Sequence, residues 1–316
     1  MTAPRNKTED DITAEVLERF AETPDPRLRR IMLALVRHLH AFVKEVELTE
    51  AEWFQAIAIL TETGRLWCSD KRQEFILFSD ALGVSMVIDL LNHRKPEGAT
   101  ESTVFGPFHR LGAPDMPPGG NIAALDHAAM PALVGGRVLD LDGRPISGAL
   151  LDVWQAQANG LYDSQDPQVE GLHMRGRFHT DAEGRYLVRT VRPVHYPIPS
   201  DGPVGQMLHA TGGHPWRPAH IHFVVSAEGY EPVTTHIFDR TDSYLASDAV
   251  FAVKDSLICD FIRHDKADDA EAAQLGLAPP FCTARFDFRL KRAAGAGAGV
   301  LDAQQRLAAL GARAAE

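Results

Sequence analysis

The run RPAHIHF places His220 and His222 two residues apart, and side chains two apart along a strand leave the same face. Their backbones would then lie roughly 6 to 7 Å apart, a spacing from which two imidazoles converge on one metal ion. Ile221, Phe223 and Val225 point the other way, as a buried layer should. The neighbourhood is dense in the same residue type, with six of the fourteen histidines between His195 and His236. Two kinds of group could complete such a site. A carboxylate from Asp239 or Asp242, with His236 as a third imidazole, would suit a non-haem Fe(II) oxygenase. The other candidates are phenols, from a chain with only five tyrosines. Tyr162 follows the run WQAQANGL, where a strand gives way to a turn. Tyr196 sits in VHYPIPSDGP, whose prolines fix a rigid, non-helical backbone. Rigid loops at the end of a scaffold are where binding groups are presented.

These residues need elements to hold them. Leu28, Ile31, Met32, Leu35, Leu39, Phe42 and Val46 recur at three- and four-residue spacing and predict one apolar helical face. Thr49 with Glu52 predicts a capping box for a following helix carrying Trp53, Ile57 and Leu60. Asp70 with Gln73 is expected to open a third helical segment carrying Phe75, Ile76, Phe78, Leu82, Val87 and Leu91. Glycines and prolines from Arg94 to Asn121 predict a linker. Short β-type runs follow at 133–139, 149–155, 176–180, 185–190, 219–226 and 232–238. The stretch Asp181 to Gly184 between the third and fourth of these reads as a hairpin turn. The expected fold is α+β: a helical dimerisation and linker domain over 1–100, then an antiparallel β-sandwich over 101–292. An Ala/Gly-rich tail fills 293–316.

Composition narrows the partners. A formal net charge of −11 argues against nucleic acid or an anionic membrane. Three scattered cysteines do not make a disulfide framework or a thiolate metal site. The first residues lack the apolar core of a secretory signal, and no stretch reaches membrane-spanning length. A cytoplasmic protein with reduced thiols is expected.

Four runs taken together, LDVWQA from Leu151, GLY ending at Tyr162, YPIPSDGP from Tyr196 and RPAHIHF from Arg217, resemble the intradiol ring-cleavage dioxygenases. The resemblance covers nearly the whole chain, its first third resembling the dimer-forming helices of the catechol-type branch. It implies a non-haem Fe(III) centre held by Tyr162, Tyr196, His220 and His222. It also implies that Tyr196 is displaced when the diol binds and helps remove a proton. Arg217 would stabilise negative charge on the ring. The implied reaction inserts both atoms of O2 between the hydroxyl-bearing carbons of an aromatic diol or triol.

Within that family, the segment from Arg72 to Ser85 resembles the branch acting on hydroxyquinol (benzene-1,2,4-triol), with catechol or a substituted catechol as the alternative. Asp80 would accept a hydrogen bond from the third hydroxyl. His236 stands where the catechol branch typically has glutamine. Val104, Phe105, Gly106, Pro107 and Phe108 resemble that branch's pocket wall, and Leu77, Ile198, Pro199 and Val250 would line the same cavity. The expected product is 3-hydroxy-cis,cis-muconate, which tautomerises to maleylacetate. A homodimer through the N-terminal helices, with a lipid-like molecule at its interface, is a further expectation from the resemblance.

Overall fold

In the computed structural model, which describes residues 6–69, 72–124 and 129–293, the chain divides into two units, Met1–Glu62 and Thr63–Glu316. Short polar residues start the first helices. Helix α1 (Glu9–Ala21) opens on a reciprocal cap between Thr8 and Asp11, and α2 (Pro26–Glu45) opens on Asp25 with Pro26 in its first turn. Helix α3 (Glu50–Leu66) starts at the expected box. The Glu52 carboxylate accepts from the Thr49 amide at 2.9 Å, and the Thr49 hydroxyl accepts from the Glu52 amide at 3.3 Å. The apolar stripe on α2 forms as its periodicity predicts, yet Leu35, Leu39 and Phe42 remain 51%, 53% and 51% exposed.

The second unit begins with the expected third helical segment, which is two helices, α4 (Glu74–Ala81) and α5 (Val84–Asn92). Gly83, at a φ of +71°, turns the chain between them, a conformation costly for any residue with a Cβ. Asp70, expected to open this segment, lies outside the described residues, as do 294–316 of the tail. The linker stretch is more than a connection. After α5 the chain bridges to the sheets at Asp115 to Arg177 and at Asn121 to Arg189.

The strands are β1 (Pro131–Asp140), β2 (Leu150–Trp154), β3 (Arg175–His179), β4 (Arg185–Val191), β5 (Tyr196–Pro197) and β6 (Trp216–Arg217). Helix α6 (Pro203–Ala210) lies between the last two. They continue as β7 (His220–Ser226), β8 (Val233–Asp239), β9 (Ile258–Cys259), β10 (Ile262–His264), β11 (Phe281–Arg285) and β12 (Phe288–Leu290), with α7 (Ala270–Gln274) before β11. One sheet is built on β1, flanked by β4 on one side and by β11 and β12 in succession on the other, with β10 beyond β11. The second runs β3-β2-β7-β8-β9, and β5 pairs with β6 alone.

The expected sandwich is present, but its pairing is mixed. Strand β1 is parallel to β11 and β12, and β8 is parallel to β9. Parallel neighbours need long crossovers, and the chain between β1 and β11 supplies one. The expected hairpin is also different. The turn forms, with the Gly184 amide donating to the Asp181 carbonyl at 3.0 Å. Its flanking strands, however, join different sheets, β3 pairing with β2 and β4 with β1. The turn is an arch across the sandwich. Between the sheets, Val134, Val138, Leu151, Val153, Phe178, Val188, Ile221, Phe223, Val225 and Phe288 form the main core. Burying side chains of this size stabilises the fold by roughly 1.5 to 3 kcal/mol each.

Candidate active site

Strand β7 is apolar on its core face, so His220 and His222 project from the outer face of the second sheet. Cross-strand register sets their neighbours. His222 lies opposite Trp154 of β2 on one side and His236 of β8 on the other. The Trp154 indole stacks on the His222 ring with centroids 4.6 Å apart. Both phenols arrive from loops. The Tyr162 amide donates to the Gln165 side chain at 3.0 Å, and its ring stacks on Phe108 at 4.5 Å. Gly160 lets this loop approach closely, since a Cβ there would meet the Cβ of Tyr196 at 3.1 Å. Tyr196 in β5 pairs directly with Arg217 in β6, three residues before His220.

Four donor atoms form a closed ring. Tyr162 Oη is 2.9 Å from Tyr196 Oη and 2.9 Å from His222 Nε2. His222 Nε2 is 3.1 Å from His220 Nε2, which is 3.3 Å from Tyr196 Oη. Donors bound to a first-row metal at about 2.1 Å stand about 3.0 to 3.4 Å apart as bond angles go from right-angled to tetrahedral. The ring has that size.

Its chemistry also calls for a cation. The Nδ1 of His220 faces the Pro218 carbonyl at 2.6 Å, so Nδ1 carries the hydrogen and Nε2 a bare lone pair. Burial first, then Arg217, pushes His220 well below the ordinary imidazole range. Burial, then His236 and His220, does the same for His222. Burial thus disfavours the charged form of both rings, and His220 turns an acceptor nitrogen inward. Burial and the neighbouring Tyr196 push the Tyr162 phenol well up, and burial pushes Tyr196 up against the opposing field of Arg217. A trivalent ion reverses this preference by favouring the phenolates, whose two charges offset much of its own. Two phenols and two neutral imidazoles therefore suit a ferric ion.

Of the carboxylate alternative, the structure brings together the three histidines but pairs both carboxylates elsewhere. His220, His222 and His236 do present nitrogens within 4.8 Å of one another. However, His236 Nε2 lies 2.7 Å from His222 Nδ1, and its Nδ1 lies 3.1 Å from the Thr103 hydroxyl, so both its ring nitrogens are engaged. Asp239 is turned to Arg192 at 2.7 Å and Asp242 to His195 at 3.1 Å.

Arg217 is buried with its Nη1 3.2 Å from His220 Nε2. Its Nε is 3.1 Å from Asp248, which also accepts the amides of Val250 and Ala252. Burial opposes the charge on Arg217, but Asp248 together with Tyr196 and Tyr162 holds the guanidinium above its ordinary value.

A cavity of about 930 Å³ has Asp80, Thr103, Val104, Phe105 and Gly106 in its wall, while the four donor residues are not part of that wall. Gly106 also packs against the site, since a Cβ there would lie 3.5 Å from His222 Cε1. Burial pushes the Asp80 carboxyl up to about 6, against the lowering effects of Ser85 and Arg217. The other expected wall residues divide. Leu77, Ile198 and Val250 pack with Val104 in one apolar cluster. Pro107 and Phe108 face a second cavity, of about 560 Å³, on the Tyr162 side. Pro199 is half-buried beside Ile198, and His236 lies behind His222 rather than on the wall. Asp248 and Thr103 carry no local signal in the sequence. Neither does Asp163, the residue after Tyr162, which anchors that loop through buried Arg175.

Residues 121–292 match the family described as Dioxygenase, and residues 25–100 match the Catechol dioxygenase N terminus. A hydroxyquinol 1,2-dioxygenase of Rhizobium sp. (strain MTP-10005) is 53% identical, the match covering 88% of this chain and 93% of that protein. A 6-chlorohydroxyquinol 1,2-dioxygenase of Cupriavidus pinatubonensis is 53% identical, covering 80% and 91%. Hydroxyquinol 1,2-dioxygenase from Pseudomonas putida DLL-E4 superimposes with a TM-score of 0.85 at 49% identity, covering 90% of this chain and 99% of that chain. Catechol 1,2-dioxygenase from Acinetobacter sp. ADP1 gives 0.80 at 29% identity, covering 91% and 94%.

Proposed function

The chain belongs to the intradiol ring-cleavage dioxygenase family, and on that premise we propose that it opens hydroxyquinol between its two adjacent hydroxyl-bearing carbons. The observation that carries the chemistry is the closed ring of Tyr162, Tyr196, His220 and His222, which would hold a non-haem ferric ion. A bound ferric ion supplies Lewis acidity toward the vicinal hydroxyls and a sink for electron density from the ring. Each atom of O2 ends in one of the two new carboxylates. The triol and one molecule of O2 together account for every atom and electron of the product, so no outside reductant is needed. The product is 3-hydroxy-cis,cis-muconate, tautomerising to maleylacetate.

The side chains have distinct tasks. Tyr196, beside Arg217 on a two-strand ladder, accepts a proton from the incoming diol. Arg217, fixed by Asp248, faces the negative charge that builds on the ring. Phe105, and Val104 with the apolar cluster around Leu77, Ile198 and Val250, would face the aromatic ring. Asp80 accepts the hydrogen of the third hydroxyl, a group that catechol lacks.

A visible spectrum of the iron-loaded, anaerobic protein tests the assignment. Phenolate-to-iron charge transfer should colour it wine-red, and hydroxyquinol should shift the band by displacing a donor. A colourless loaded protein would point instead to ferrous iron without phenolates. Selectivity tests the substrate. Hydroxyquinol should be preferred over catechol in kcat/KM, and Asp80→Asn should cost the triol about 10-fold or more while sparing catechol, as loss of a buried hydrogen bond to a charged group predicts. The carboxylate is the accepting form, so the preference should shrink as pH falls through about 6. Catechol turned over tenfold faster than hydroxyquinol would overturn the substrate assignment alone.

The exposed stripe of Leu28, Ile31, Leu35, Leu39, Phe42 and Val46 supports a homodimer through the N-terminal helices, and the family resemblance adds a lipid-like molecule at its interface. Sedimentation should give twice the chain mass, and Leu35→Glu with Leu39→Glu should give a monomer. A wild-type monomer at micromolar concentration would reject the dimer, and lipid extraction with mass spectrometry would test the lipid.

A further inference from the structure

We propose that His236 is a positioning residue for the metal site, its Nε2 accepting the Nδ1–H of His222 and so keeping the His222 Nε2 lone pair turned into the donor ring. The inference rests on the four-ligand assignment above. The two nitrogens are 2.7 Å apart, with ring centroids at 4.1 Å and planes at 88°, an edge-on arrangement that aims one ring at the other. The strands deliver it, since His222 and His236 are direct partners in the β7–β8 ladder.

The polarity of the chain of hydrogen bonds follows from ligation. If Thr103 donated to His236 Nδ1, then His236 Nε2 would carry the hydrogen and donate to His222 Nδ1. His222 Nε2 would then bear a proton and could not bind a metal. Ligation selects the reverse order, in which His222 donates to His236 and His236 donates to the Thr103 hydroxyl at 3.1 Å. Thr103 is itself held, its amide donating to the carbonyl of Thr234, two residues from His236 on β8. All three side chains are buried, so water does not compete for these positions.

The two imidazoles are thus fixed by different means. His220 is fixed by a backbone carbonyl, which substitution cannot remove. His222 is fixed by a side chain, which substitution can remove. Partners of this kind orient the ring of a metal-bound histidine and raise its basicity.

The test compares His236→Leu, His236→Gln and Thr103→Val after loading with ferric iron. The readouts are the rate of iron release to a ferric chelator and the energy of the visible band, with near-ultraviolet circular dichroism reporting folding. His236→Leu should release iron about 10 to 100 times faster and shift the band. His236→Gln, whose amide oxygen can accept the same hydrogen, should stay close to wild type. Thr103→Val should fall between them. Wild-type release and band in folded His236→Leu would overturn the proposal, as would a glutamine variant no better than leucine. Should His236→Leu fail to fold, an unchanged Thr103→Val would overturn it instead. Failure of the ligand assignment looks different: wild type would then hold no iron, and Tyr162→Phe would not alter the spectrum.

Discussion

Replacing His222 with alanine is expected to leave a folded protein that loses its iron and at least about 10³-fold of its ring-cleaving rate, equivalent to roughly 4 kcal/mol of barrier. The size follows from position. His222 Nε2 forms two of the four edges of the donor ring, to Tyr162 and to His220. Without it, the remaining imidazole and two phenols no longer enclose the centre, and burial holds both phenols protonated. Metal analysis and oxygen uptake on the purified variant would measure both losses together. Iron retained at wild-type stoichiometry with more than a tenth of the activity would remove His222 from the ligand set.

Arg217→Met should separate chemistry from metal binding. Iron should remain and the visible band persist, while kcat falls about 10²- to 10³-fold, the usual consequence of removing one preorganised charge partner of a developing anion. Methionine keeps much of the side-chain volume, but Asp248 loses its buried cation, which destabilises the fold by about 3 to 5 kcal/mol. Asp248→Asn is therefore the necessary companion, because it disturbs the same pair while leaving the guanidinium in place. A milder drop in kcat for Asp248→Asn than for Arg217→Met would assign the larger loss to the missing charge. Equal losses would mean that Arg217 acts only by holding Asp248 and its loop.

Both experiments rest on residues that were unequally legible in the sequence. His220 and His222 could be read from local rules, since a period of two settles which face each side chain takes. Helix α2 and the cap of α3 were legible for the same reason, their signals spanning a few residues. Tyr162 and Tyr196 could not be chosen over Asp239, Asp242 and His236 by any local rule. They reach the histidines across 60 and 24 residues of chain, and only the order of several runs resembling one family pointed to them. Asp248 stayed hidden because its partner is 31 residues away. The parallel partners of β1 were hidden too, since pairing across so much chain is set by how the two sheets pack. The arch at Asp181 misled for a related reason. Its turn residues are those of a hairpin, and nothing local says that the two arms belong to different layers.

Strand β7 has no spare surface, with Ile221, Phe223 and Val225 facing inward and His220 and His222 outward. A slip of one position against β2 or β8 would bury two imidazoles in hydrocarbon and carry the aliphatic groups to where the ion is held. Neither half of that exchange is tolerable alone. Misaligned molecules could not be rescued by added iron, and the fraction of a preparation that takes up metal would count the molecules whose ladder had closed correctly.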